Sequence, residues 1–586
     1  MSKEKSHGSI FFRYLKRYYR YWIIGLVTII LTTSMAVMIP LLIKRAIDSL
    51  EQGSDLNTIL YQALLIVGIT ALAGFFRFLT RQTVIVSSRK IEYEIRNDFF
   101  SHLETLDRKF YENTPTGDIM SRATNDLEAV RAMYGPGLMH STSTFFTVVM
   151  AFILMYRVDP VLTSYAFVVL PLLSVSVLIL GKKVHKHYRR IQEHYGKISA
   201  YVQENLSGIK VVTSFVQQDN QIAGFEDLNK DYIKKNMDMV KVWGMFFPVL
   251  SMIAGFVTVL ILIVGGKRVI DGEASLGSFV AFIAYVEMLI WPMIALGWVI
   301  GIFQRGLASL GRMREVFDRE PIIASPPETL KSEKVQGGIE FRDLSFSFKD
   351  NSSKPVLRNI SFKIEPGQTV AIVGATGSGK SALVSLIPRL YPVGDGRIFV
   401  DGKDVNKFDL ENLRSNIGFI PQDNFLFSTT ITNNINFYSA RDINRDDIER
   451  AADTADFLKD IEEFPHGFDT VLGEKGITLS GGQKQRASIA RAIALKPPIL
   501  IFDDAFSSVD THTEERILNN LRGVLEARTV LLISHRISTV KNADVIMVLD
   551  DGRLVETGSH EELLSRGGIY AQIHHKQLLI EQLAAY

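Results

Sequence analysis

Cysteine is missing altogether from this chain of 586 residues, which removes disulfides, thiolate metal sites and cysteine nucleophiles from consideration. That count says nothing for or against export to an oxidising compartment. Net charge is nearly missing too, since 65 Lys and Arg against 63 Asp and Glu leave +2. Without a basic surface, general nucleic-acid binding is not expected. A small-residue cleavage site is also lacking after the first apolar run, which starts near Trp22 and continues to about Ile43. The run is too long for the apolar core of a signal peptide, so it reads as a retained membrane helix.

What is present is unevenly distributed. The length calls for two or three domains, and the bulk figures of 47% hydrophobic and 22% charged residues are ordinary. Long apolar runs nevertheless crowd the first half, while the second half reads like a soluble α/β protein. Ahead of the first run, Ile10, Phe11, Tyr14, Leu15, Tyr18 and Tyr19 recur at helical spacing, with Arg13, Lys16, Arg17 and Arg20 opposite. Residues 1–20 therefore read as a helix lying in the membrane interface.

Five further runs reach the roughly 20 residues that a bilayer crossing needs. They centre on Tyr61–Leu79, Leu138–Met155, Val161–Leu180, Phe246–Ile263 and Leu276–Ile302. Six crossings put both ends of the 21–319 membrane region on one side. The links Arg45–Asn57, Arg157–Pro160 and Gly266–Ser275 are expected outside. Thr80–Tyr134 and Lys182–Lys241, long and rich in Lys and Arg, are expected in the cytoplasm as paired helical arms. At the tip of the first pair, 113–118 is a turn cluster. At the second, 208–215 is a short apolar patch amid charge, the kind of surface that docks onto another domain. A polar, proline-containing stretch over 320–337 reads as a linker, and strands alternating with helices over 338–586 predict an α/β nucleotide-binding domain.

Within that domain, the apolar strand Thr369–Val373 runs into Gly374, Ala375, Thr376, Gly377, Ser378, Gly379, Lys380 and Ser381, followed by a helical segment. This is a phosphate-binding loop in its strand–loop–helix context. Its glycines let backbone N–H groups close on phosphate, and the helix N-terminus adds favourable polarity. Lys380 is expected to reach the terminal phosphates, and the Ser381 hydroxyl to bind magnesium. A second apolar strand, Ile499–Asp503, ends in a carboxylate suited to the same ion.

Between them stands Leu479-Ser480-Gly481-Gly482-Gln483. The order of phosphate loop, Gln422 after Phe419-Ile420-Pro421, Leu479–Gln483, Asp503 and His535 resembles the ATP-binding cassette transporters. Six helices ahead of the cassette extend the resemblance over the whole chain, to exporters that fuse both parts. It implies a six-helix transmembrane bundle with long cytoplasmic helical arms followed by an α/β P-loop cassette, in a bacterial cytoplasmic membrane. It further implies ATP and magnesium as ligands, membrane lipid around the bundle, an amphipathic substrate and a second half-transporter.

Carried over by residue, the resemblance gives Phe348 the place that stacks on adenine, usually a tyrosine. Gln422 matches the glutamine that senses magnesium and the attacking water, and His535 the histidine at the γ-phosphate. Ser507-Ser508-Val509-Asp510 matches the loop linking two ATP sites, and 470–476 a segment that contacts the intracellular arms. Ser480, Gly481, Gly482 and Gln483 would close on the phosphate loop of the second cassette. Export of drugs or lipids is then the leading reading. A dedicated lipid or peptide exporter and a mainly regulatory ATP-binding subunit stand beside it. A soluble ATPase of chromosome or repair type shares the signature but not the six spans.

One departure matters. Where the family has glutamate after Asp503, this chain has Asp504, one methylene shorter. Asp504 is either a working base with shifted geometry or the mark of a slow, degenerate site. The second reading favours a heterodimer whose partner keeps the glutamate and has an altered signature. In the membrane region, Glu287 beside Trp291 and Pro292 is a candidate contact for a cationic substrate. Phe145, Phe146, Phe246 and Phe247 are candidates for lining an apolar cavity.

Overall fold

The computed structural model describes residues 7–326, 335–348, 354–437, 443–476, 478–526 and 528–584. Part of the expected linker, 327–334, lies outside the described residues, as do the first six residues of the expected interfacial helix. The chain divides into two compact units, Met1–Glu104 with Thr114–Arg319, and Thr105–Asn113 with Glu320–Tyr586.

Among its described residues the first unit is built of helices and the turns between them. Six helices among the described residues are long and apolar enough to cross a membrane: Tyr19–Glu51, Leu56–Leu103, Thr116–Val158, Pro160–Ser207, Gln218–Ile270 and Leu276–Phe317. Each expected crossing falls within one of them. At 1.5 Å per residue, the 48 residues of Pro160–Ser207 extend for about 72 Å, well beyond the hydrocarbon thickness, so membrane helix and arm are one continuous rod. The bundle core is apolar and close-packed, with Val37, Leu170, Val257, Phe282, Tyr285 and Leu289 buried.

The turns between helices are tighter than the apolar runs imply. The first helix continues to Glu51 and the fifth to Ile270, so two of the three outer links shrink to a few residues. At the third, Asp159 accepts from the Val161 and Leu162 N–H groups, capping the next helix, and Pro160 supplies a preset φ at its first position. Asp159 is buried and its second oxygen pairs with Arg268 at 2.9 Å. The N-terminal helix, His7–Arg17, turns Tyr14 onto Asp98 at 2.8 Å, and Tyr18 just beyond it bonds Glu94 at 2.7 Å. The segment 208–215 is a short helix, Ile209–Ser214, and Ile209, Val211, Phe215 and Val216 are exposed around it.

The second unit is α/β. Its main sheet runs β10-β9-β3-β8-β7-β6, with β3 (Thr369–Gly374), β6 (Ile417–Ile420), β7 (Ile499–Asp503), β8 (Thr529–Ile533) and β9 (Val545–Asp550) parallel. Only β10 (Arg553–Gly558) is antiparallel, at the edge. An antiparallel sheet, β2-β1-β4-β5, is built from β1 (Ile339–Phe346), β2 (Leu357–Ile364), β4 (Ile398–Val400) and β5 (Lys403–Asp404). The strands β7 and β8 are buried at every position, as expected of parallel strands covered on both faces. In the same unit, Tyr391 donates to Glu112 at 2.7 Å and lies under the Arg108 guanidinium. These contacts tie the short helix Arg108–Asn113 to the nucleotide-binding fold.

Candidate active site

Strand order places the site. Because β3, β8, β7 and β6 are parallel neighbours, their C-terminal ends open along one edge of the sheet. The segments leaving those ends carry the phosphate loop, His535, Asp503 with Asp504, and Gln422 respectively. Loops at the carboxyl ends of parallel strands are where open α/β sheets bind ligands.

A cavity of about 260 Å³ lies there, lined by Phe348, Thr376, Gly377, Gly379, Lys380, Ser381, Gln422, Asp503, Asp504 and His535. Val356, Ala382 and Ile533, which the motif reading did not single out, complete its wall. Ten of the expected residues are thus gathered from a span of nearly two hundred positions. Ala375 is exposed, whereas Gly374 and Ser378 are buried behind the loop. Ser480, Gly481, Gly482 and Gln483 do not line the cavity.

The loop's shape depends on its glycines. Gly374 has φ of 152°, and a Cβ there would meet the Leu549 carbonyl oxygen at 2.1 Å. Gly379, at φ of 101°, is the left-handed residue from which the helix Lys380–Leu386 starts. Replacing Gly374 by alanine cannot be absorbed, since the obstacle is backbone. Gly374→Ala is expected to cost several kcal/mol, in the range of large steric lesions (about 3 or more), and to abolish nucleotide binding. Thermal unfolding of the purified protein with and without ATP checks this.

Lys380 is folded back, its Nζ donating to the Gly374 and Ala375 carbonyls at 3.0 and 2.8 Å. Burial pulls its pKa below the ordinary lysine value, against the opposing pull of Asp504 and Asp503. The Ser381 hydroxyl donates to Asp503 Oδ1 at 2.8 Å. Asp503 is 5% exposed, and burial raises its pKa, an effect that the Ser381 hydrogen bond partly offsets. Among the described residues the buried Ser378 hydroxyl has no hydrogen-bond partner, which leaves a donor to be used. Asp504 adopts φ of 51°, a left-handed conformation that short polar side chains tolerate better than long ones. Phe348 is half-exposed, and its ring sits edge-on to Tyr391, 5.1 Å away.

The Leu479–Gln483 segment is equally well built, at a different place. Ser480 caps the helix Gly481–Ala494 and forms a reciprocal pair with Gln483, whose amide also bonds Asp460 at 2.8 Å. Gly481 and Gly482 lie against Ser508, where a Cβ would meet Ser508 atoms at 3.4 and 3.2 Å. Gln485, 2% exposed, holds the following loop by bonding the Ser507 hydroxyl at 3.0 Å and the Ser508 N–H at 2.9 Å. Sequence reading missed Gln485; its signal was a polar residue on the buried face of an alanine-rich helix. Ser480 itself is exposed.

The candidate substrate contacts stand on three different membrane helices. Glu287 is exposed on the last membrane helix. Phe145 pairs edge-on with Phe146, and Phe246 with Phe247, the latter two also against Trp243.

Residues 22–293 match the ABC transporter transmembrane region, and 357–507 match the ABC transporter family proper. YknU of Bacillus subtilis, an ABC transporter ATP-binding protein, is 36% identical over 97% of both chains. The probable multidrug resistance ATP-binding/permease protein YheI of the same organism is 35% identical, again over 97% of each. An ATP-dependent lipid A-core flippase from Aromatoleum aromaticum is 37% identical over 89% of this chain and 86% of its own. The solved structure of a bacterial Atm1-family ABC exporter with ATP bound superposes with a TM-score of 0.78. Its sequence is 27% identical, and the match covers 95% of this chain and 98% of that one. The chain therefore belongs to the ABC transporters: it is an exporter half, multi-pass in the membrane, with an ATP-hydrolysing cassette on the cytoplasmic side.

Proposed function

We propose that this chain exports amphipathic small molecules, drugs or lipids, as the weakly hydrolysing half of a heterodimer. Half-transporters of this family dimerise. The observation that carries the reading is that one chain holds an incomplete site. Phosphate loop, Asp503, Asp504 and His535 share a cavity, while Ser480–Gln483 stand outside it with Ser480 exposed. A signature so placed suits the phosphate loop of a second cassette.

In this reading Phe348 stacks on adenine, and the loop N–H groups, Lys380 and Ser378 bind the phosphates. Ser381, Gln422 and Asp503 offer hydroxyl, amide and carboxylate oxygens, hard donors that fit magnesium beside phosphate. The ion, when bound, supplies charge neutralisation at the β- and γ-phosphates. Gln422 and Asp504 orient the attacking water, Asp504 by accepting a hydrogen bond from it, and His535 holds the γ-phosphate. Closure on ATP then drives the helical arms and turns the bundle from inward to outward access.

Asp504 supports unequal sites. A carboxylate drawn back by one methylene leaves the water short of its base, and an error of about 1 Å costs on the order of a hundredfold in rate. ATPase assays test this. The purified chain alone is expected to turn over at least about tenfold more slowly than with its partner. Rapid turnover as a homodimer would remove the argument. Transport into inside-out vesicles, with and without the partner, tests direction and substrate. The lipid A-core flippase relative supports a second reading, a dedicated lipid exporter. Vesicles that accumulate a labelled lipid but no amphipathic drug would favour it.

A further inference from the structure

A side chain of the C-terminal helix, Gln577, bonds the backbone of the loop that carries His535. His535 follows β8, is exposed, and lines the nucleotide cavity. Among the described residues its imidazole has no hydrogen-bond partner, so the backbone of its loop sets its direction. That loop is held on two sides. On one, Arg536 donates to the Val509 carbonyl at 3.2 Å and pairs with Glu514, a buried carboxylate that also accepts from Thr539. On the other stands Gln577. Its Oε1 accepts from the Ile537 N–H at 2.8 Å, and its Nε2 donates to the His535 carbonyl oxygen.

This second clamp fills a structural need. Ile537 opens a four-residue helix whose N-cap, Arg536, offers no side-chain cap, so the Ile537 N–H is an orphan donor. Gln577 satisfies it from another element and grips the adjoining carbonyl with the same amide. The amide does both at once, whereas an ionised carboxylate only accepts.

The C-terminal helix Ile569–Ala584 is placed to hold such a clamp. Its first N–H groups, of Ile569 and Tyr570, bond the Glu556 carboxylate at 2.5 and 3.1 Å. Tyr570 is fully buried, with its hydroxyl 2.7 Å from His560 Nδ1, and Ile573 packs on the same core. Residues 570, 573 and 577 share one helical face. Beyond it Leu578, Leu579 and Ile580 are exposed, so Gln577 belongs to the last anchored turn.

We propose that Gln577 is a positioning residue for ATP hydrolysis, holding the His535 loop from the C-terminal helix so that the imidazole meets the γ-phosphate. The proposal rests on the reading of His535 as a γ-phosphate contact. The test uses the full assembled transporter with Asp504→Glu in this chain and the partner's own catalytic carboxylate removed, so that turnover reports this site. Gln577→Ala and Gln577→Glu are each expected to lower kcat about tenfold while KM for ATP stays within about twofold, the pattern of misplacement rather than lost binding. Gln577→Glu keeps the acceptor for Ile537 and so carries the test if the alanine variant folds poorly. Wild-type kcat in Gln577→Glu would overturn the proposal, as would a rise in KM with kcat unchanged. His535→Ala in the same background separates the two ideas. If it abolishes turnover and the Gln577 variants do not, only the positioning role falls; if it leaves turnover intact, both fall.

Discussion

Replacing Asp504 by glutamate is expected to raise ATP turnover at this chain's own site by about one to two orders of magnitude, because the added methylene would return the carboxylate to the water. The cavity already gathers Lys380, Gln422 and His535 around the same space. One local effect opposes the gain. At φ of 51°, a longer side chain is held in a left-handed conformation that aspartate tolerates better. The cost for one such residue is about 1–2 kcal/mol at most, and it falls on the folded state with and without ATP alike. It therefore lowers stability more than rate. Steady-state ATPase with the partner's base removed is the measurement. No increase in kcat would mean that carboxylate reach does not limit this site.

Lys380→Ala is the second large effect, and it acts on binding. The ammonium group is buried, and its acceptors, the Gly374 and Ala375 carbonyls, belong to the phosphate-binding loop itself. Losing charge-assisted hydrogen bonds worth about 1.5–3 kcal/mol each weakens ATP binding by about two orders of magnitude. A pH signature accompanies it. Burial has lowered the Lys380 pKa in the free protein, and phosphate oxygens favour the charged form and raise it again. ATP binding therefore takes up a proton on the alkaline side, and affinity falls as pH rises through the lowered pKa. Lys380→Ala removes that alkaline limb. Calorimetric titration with ATP at several pH values shows both effects, and an affinity within a few-fold of wild type would contradict the assignment.

How much of this was legible in the sequence follows from what is contiguous. The membrane helices were, because each is a single apolar run and the bilayer sets its length. The phosphate loop was, because strand, glycines, lysine and helix start are consecutive from Thr369 to Leu386. Asp503, Gln422 and His535 were located by order, yet their convergence depends on the β3-β8-β7-β6 strand order, which no single motif encodes. The N-terminal tyrosines read as an apolar stripe, whereas Tyr14 and Tyr18 use their hydroxyls to bond carboxylates of a helix some eighty residues away. Gln485 left only the faint signal of a polar residue on a buried helix face and Gln577 none, since the partners of each are supplied by a distant loop. An amide side chain carries no local pattern of its own.

The measurement that reaches the central claim uses the missing cysteines. With no native thiol in the chain, Ser480→Cys creates a single reporter on the signature, exposed in the isolated chain. In the purified transporter, maleimide labelling at this position should be fast without nucleotide and strongly suppressed by ATP with magnesium, as the facing phosphate loop closes over it. Equal labelling in both states would contradict a nucleotide held between two cassettes.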